Sequence, residues 1–186
     1  MAALLDFERK ASHITDVSPL LIPGLLQTGD YARAIMVTGE VPAAEVETRV
    51  LVRVGRREVL TRRNPAKLLA LVGETAIRQK IGDLQVTLDQ LQHLLTVAEW
   101  PNVDLHVIPS ATGWHPALEG PFFLIDFDDE QPIVHLENRR AALFFHEEAD
   151  VAAYRIAVDR VMRLAMDPAE SMKFIAGVSR ELEAAG

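Results

Sequence analysis

Six histidines and a surplus of carboxylates are the side chains in this sequence that could do acid–base or metal chemistry. In His146-Glu147-Glu148-Ala149-Asp150 an imidazole and a carboxylate stand four residues apart. A zinc-protease helix uses that spacing with Glu as the base, but here Asp stands where the second His is needed. The run also reads as an acidic helix start, with Glu147, Glu148 and Asp150 near the positive end of the dipole, and the missing imidazole favours this second reading. His106, His135 and Glu137 fall on predicted strands, and His135 and Glu137 share one face of theirs. With Glu74 and His115 they could line a polar pocket or hold a metal. The alternative is that they face solvent or satisfy buried backbone groups. There is no glycine-rich phosphate loop, no nucleophile elbow and no Ser-His-Asp order, so no catalytic residue, metal or cofactor is predicted. The sequence has no cysteine, which excludes thiolate ligands, disulfides and a cysteine nucleophile.

Arginine is the stronger signal. Residues 43–63 hold six arginines against three glutamates, a net charge of +3 in a chain of −8, leaving −11 for the remainder. Arg49, Arg53 and Arg57 recur every fourth residue, and with Arg56 they predict a guanidinium rail along one helix. Such a rail could hold phosphates or a carboxylate-rich protein surface. The acidic balance of the whole chain argues against wholesale binding of nucleic acid and favours pairing within the chain or with a partner.

The elements that must position these residues follow from apolar spacing. Leu4, Phe7, Ala11 and Ile14 predict an opening helix. Further helices are predicted over 31–38, closed by Gly39, and from Pro42 until Asn64-Pro65. Lys67-Leu68-Leu69-Ala70-Leu71-Val72 reads as a buried strand, with a helix segment as the alternative. Thr87-Leu88-Asp89-Gln90 predicts a capping box opening an amphipathic helix that Trp100-Pro101 ends. Strands are predicted at 103–108, 122–127, 133–137 and 142–145, and two helices close the chain, the second started by Asp167-Pro168-Ala169-Glu170. The expected architecture is α+β in a single regulatory or effector-type domain over 1–186. It comprises a helical part over 1–63, a small mixed sheet within 64–147 and C-terminal helices over 148–186. With no signal peptide and no membrane-length apolar run, a cytoplasmic protein is expected.

The stretch Ile22-Pro23-Gly24-Leu25-Leu26-Gln27-Thr28, followed by Asp30-Tyr31-Ala32-Arg33-Ala34, resembles the signature of an actinobacterial domain of unknown function. The likeness continues with Val50, Arg53, Arg56 and Arg57, with Glu74, Ala76, Ile77 and Arg78, and with Gln90-Leu91 and Leu94-Leu95. Asn102-Val103, Val107-Ile108-Pro109, Gly113, His115, Gly120 with Phe122, Glu137, Tyr154 and Ser171 complete it in order. Domains of that family normally follow a helix-turn-helix of the xenobiotic-response-element class in antitoxin-like transcriptional regulators. That module is absent from this sequence, so DNA binding is not carried over.

The resemblance implies sensing, dimerisation or partner binding. The leading expectation is a non-enzymatic regulatory domain that binds a small partner protein or a second copy of itself through Arg49, Arg53, Arg56 and Arg57. The second is a small-molecule sensor with Glu74, Arg78, Trp114, His115 and Glu137 around its ligand. A stand-alone enzyme using the same pocket ranks last.

Overall fold

The computed structural model describes residues 2–138 and 141–185. The opening helix α1, Ala2–Lys10, does not run on through Ile14 as the apolar spacing predicts. The chain turns at Ala11-Ser12 and enters strand β1, His13–Ser18. Three β-branched residues, Ile14, Thr15 and Val17, favour the pleated backbone there. This strand lies inside the stretch expected to be helical.

A 3-10 turn at Gly24–Leu26 leads into α2, Gly29–Thr38, whose first turn is capped by the Thr28 hydroxyl accepting from the Tyr31 N–H. Helices α3, Ala43–Gly55, and α4, Glu58–Thr61, complete the crossover to β2, Lys67–Gly73. After the short helix α5, Glu74–Arg78, comes α6, Leu84–Val97. Helix α6 starts earlier than the Thr87 box predicts: the Asp83 carboxylate accepts from the Val86 N–H at 2.9 Å. Thr87 is buried one turn in, donating to the carbonyls of Ile81 and Asp83. Then follow β3, Val103–Ile108, β4, Phe122–Asp126, β5, Ile133–Glu137, and β6, Ala142–Phe145. Helices α7, Glu148–Met162, and α8, Pro168–Ala185, close the chain. The predicted box before α8 is present: Asp167 accepts from the Glu170 N–H at 2.7 Å and Glu170 from the Asp167 N–H at 3.3 Å.

The six strands form one mixed sheet in the order β3-β2-β1-β4-β5-β6, so the architecture is α+β as expected. Strands β3, β2 and β1 are parallel, and β4, β5 and β6 continue antiparallel. On one face Ile14, Leu68, Ala70, Val72, Leu105 and Ile125 build the main core beneath the N-terminal helices, α6 and α8. On the other face Val17, Leu71 and Phe122 pack under Val158 and Val161 of α7. Among the described residues, no helix is long and apolar enough to cross a membrane.

The end of β2 is pressed against the segment leaving β1. A Cβ added at Gly73 would lie 2.1 Å from the Pro19 carbonyl oxygen, which is backbone and cannot swing aside. Gly73→Ala is therefore expected to cost about 2 kcal/mol of stability in urea titrations, through displacement of two central strands.

Candidate functional site

The middle of the sheet carries an ionisable group where the core pattern calls for an apolar one. Residues Ile14, Asp16 and Ser18 of β1 face the N-terminal helices. Asp16 stands in a row that runs across the strands from Leu105 through Ala70, Asp16, Phe123 and His135 to Phe144. Asp16 is fully buried, at 0 % exposure. Its Oδ1 accepts from the Ser18 hydroxyl at 2.5 Å, while its Oδ2 has no hydrogen-bond partner. Burial pushes the carboxyl up to about 7, against the pull of the Ser18 bond and of the Arg56 charge. Two strands away His135 is equally buried, its Nδ1 also lacks a partner, and its ring stacks on Phe144 with centroids 4.6 Å apart. Burial lowers the His135 pKa, with the Glu137 charge opposing, so the ring is held towards its neutral form.

Helices α1 and α3 close over this row with further charges. Arg56 makes a two-pronged bond to Glu8, Nε to Oε2 at 2.8 Å and Nη2 to Oε1 at 2.5 Å, with Glu8 only 2 % exposed. Burial works against the Arg56 charge, but Glu8, Asp16 and Glu137 more than offset it, and its pKa rises. Arg53 donates from Nη1 to Gln27 Oε1 at 3.1 Å, a neutral acceptor. Its pKa is lowered, first by burial and then by Arg56 beside it. The two guanidinium groups crowd the turn at Pro23-Gly24. A Cβ on Gly24 would sit 3.1 Å from Arg56 Nη1 and 3.6 Å from Arg53 Nη1, which is why glycine follows proline there.

The rest of that signature stretch holds the turn in place. Gln27 Nε2 donates to the Ile22 carbonyl at 2.8 Å, and Gln90 of α6 donates to the Leu26 carbonyl at 2.8 Å and accepts from the Thr28 N–H at 2.7 Å. Arg57 donates from Nη2 to the Gln27 carbonyl at 2.5 Å. Together these bonds satisfy the backbone of a buried loop, as its burial requires.

The four arginines do not form one outward rail. Arg49 stays at the surface and pairs with Glu45 at 2.7 Å, whereas Arg53, Arg56 and Arg57 turn inward to Gln27, Glu8 and backbone carbonyls. Nor are the five residues predicted around a ligand brought together. Glu74 bonds Arg78 at 2.8 Å and the Ser110 N–H at 3.0 Å, and Arg78 also pairs with Glu181, all beyond the ends of β2 and β3. Trp114 is 66 % exposed in the loop after β3, next to the buried His115. Glu137 lies at the end of β5, three strands from β2, within electrostatic reach of Arg53, Arg56 and His135. His106 points to the opposite face, its Nδ1 2.9 Å from the Met166 carbonyl oxygen. His146 precedes α7 and cannot share a helical face with Asp150. Among the described residues, no group of three His, Asp or Glu side chains could hold a metal ion.

Glu8, Asp16, Ser18 and Gln27 were not among the site residues expected from the sequence, although Gln27 stands in the signature stretch. The available signal was Asp16 within Ile-Thr-Asp-Val, a strand-forming run interrupted by a carboxylate. A groove of about 520 Å³ between α1 and α3–α4 reaches the Glu8–Arg56 pair from outside, while Asp16, Arg53 and His135 do not line it. Leu5, Val52 and Val59 form its apolar walls, and Glu8 and Arg56 lie in its lining.

The profile of a family described as a domain of unknown function (DUF5753) matches residues 1–177. No curated protein and no solved structure gives a match. The match runs from α1 through most of α8 and so takes in Glu8, Asp16, Arg53, Arg56 and His135 together; the chain belongs to the DUF5753 family.

Proposed function

We propose that this domain is a non-enzymatic regulatory module that senses a small polar molecule at Asp16, Arg53, Arg56 and His135. Its occupancy would be passed to a partner protein or a second copy. The observation that carries this reading is the buried charge cluster with two unpartnered polar atoms, Asp16 Oδ2 and His135 Nδ1. A core that served only to hold the fold would place apolar groups there, because buried polar atoms without partners are destabilising. Perturbed ionisable groups gathered beside a groove are the usual mark of a binding site. The resemblance to actinobacterial domains that follow a helix-turn-helix of the xenobiotic-response-element class supports a sensing role.

The inward turn of Arg53, Arg56 and Arg57 favours sensing over a partner held by a guanidinium ridge. Helix α3 links the two ideas physically. It carries Arg53 towards the cluster, while Leu51 is 73 % exposed on its outer surface. A ligand that shifts α3 would shift that apolar side chain with it.

A thermal-shift screen of small polar metabolites tests the reading. At least one compound is expected to raise the melting temperature of the wild-type chain and to lose that effect in His135→Gln. A panel that shifts neither protein, or both equally, contradicts a ligand site at this cluster.

A further inference from the structure

The chain treats the two edges of its sheet differently. At the β3 edge the Val107 N–H donates to Ser171 Oγ at 2.9 Å, and the Val107 carbonyl accepts from the Met166 N–H at 2.8 Å. The connection into α8 thus covers that edge. At the other edge the Asn138 N–H donates to the Ala141 carbonyl at 2.9 Å, which sets the phase of the β5–β6 ladder. In that phase Leu143 and Phe145 bond β5, and the N–H and C=O groups of Ala142 and Phe144 point away from the sheet. Among the described residues no hydrogen bond reaches these outward groups, and Ala142 is exposed. Free edges are ordinarily blunted by a charge, a proline or a bulge. β6 reads Ala-Leu-Phe-Phe in unbroken register and has none of these. Its Leu143 side chain is 53 % exposed. The strand is anchored on both faces, Phe144 stacking on His135 and Phe145 on Tyr154, so its edge is presented in a fixed form.

The flanking sequence points to the occupant. Arg139-Arg140 precede β6 and Glu147-Glu148 follow it. A second copy of the strand laid antiparallel brings the basic end of each beside the acidic end of the other, whereas parallel pairing would set like charges together. We propose that β6 is the contact edge of a homodimer, in which the β6 strands of two copies pair antiparallel about a two-fold axis at Leu143. Ala142 then stands opposite the partner's Phe144, and every outward N–H and C=O of both strands finds its bond. Leu143 meets the partner's Leu143 as a non-hydrogen-bonded pair, the arrangement that brings side chains closest, and its exposed surface is covered. The contact is the same patch on both copies, so it closes at two and joins the two six-stranded sheets into one. This interface goes beyond the sensing role and does not depend on it.

Sedimentation velocity of the full chain at increasing micromolar concentration tests this, and wild type is expected to pass from monomer to dimer. Leu143→Lys sets like charges against each other at the two-fold axis and should weaken dimerisation on the order of 100-fold. Its side chain is exposed in the single chain, so circular dichroism should show the fold unchanged. Leu51→Lys, on the outer surface of α3, should dimerise as wild type does. Amide hydrogen exchange at Ala142 and Phe144 should be slow in the wild-type dimer and fast in Leu143→Lys. A wild type that stays monomeric at every concentration overturns the proposal, as does fast exchange of those two amides in a wild-type dimer. A dimer that Leu143→Lys leaves intact overturns it as well. A dimer lost in Leu51→Lys and kept in Leu143→Lys would put the second copy on α3, discarding the β6 interface and leaving the sensing role standing.

Discussion

Arg56→Ala is expected to lower the free energy of unfolding by about 3–5 kcal/mol in urea titrations near neutral pH. The variant leaves the Glu8 carboxylate, 2 % exposed, without the guanidinium fork that now bonds both of its oxygens. It also removes a cation whose charge acts on both Asp16 and Glu137. The size of the loss reflects an orphaned charge and not the net worth of the pair. Replacing both partners separates the two quantities: Glu8→Leu with Arg56→Met should recover most of the stability, because apolar groups need no partner there. A double variant as unstable as Arg56→Ala would mean that the pair itself holds α1 to α3.

The elements whose patterns are local were legible in the sequence. The α8 box works within three residues, and β3 to β6 are short apolar or alternating runs bounded by turn residues. The central strand was not, and the reason lies in the site. The inward face of β1 reads Ile14, Asp16, Ser18, so two of its three core-facing positions are polar and the apolar alternation of a buried strand is broken. The function proposed for Asp16 and the failure to see its strand therefore share one cause. The arginine stripe was visible as spacing, but its direction was not. The partners that turn Arg53 and Arg56 inward lie 26 and 48 residues away, at Gln27 and Glu8, beyond any local pattern. For the same reason the pocket expected around Glu74 and Glu137 joined residues that the sheet separates by three strands.

Asp16→Asn is expected to act in the opposite sense to Arg56→Ala and to stabilise the protein. Asparagine keeps the shape and can still accept the Ser18 hydroxyl bond at the same oxygen. What it removes is an ionisation that the fold disfavours. The Asp16 pKa is 3.8 when unperturbed and about 7 in the fold, so between these values the native state holds a proton that the unfolded chain has released. Stability contributed by the protonated group is complete below pH 3.8 and is lost as pH rises towards 7. Above that the native carboxylate carries a penalty of up to about 4 kcal/mol. His93 has the reverse dependence: burial depresses it from 6.5 to about 4, and stability is lost as pH falls through that window. Comparing Asp16→Asn with wild type at each pH cancels the His93 contribution and leaves that of Asp16.

On the sensing role proposed above, the Asp16 carboxyl is kept in the centre of the sheet, against the interest of stability, for what it binds. The most direct measurement is urea unfolding of wild type and Asp16→Asn side by side at pH 4 and pH 8. The cluster as a binding site predicts near-equal stability at the lower pH and a variant more stable by up to about 4 kcal/mol at the higher. A variant that is less stable than wild type at pH 8 would make Asp16 part of what holds the fold together, and would contradict the account.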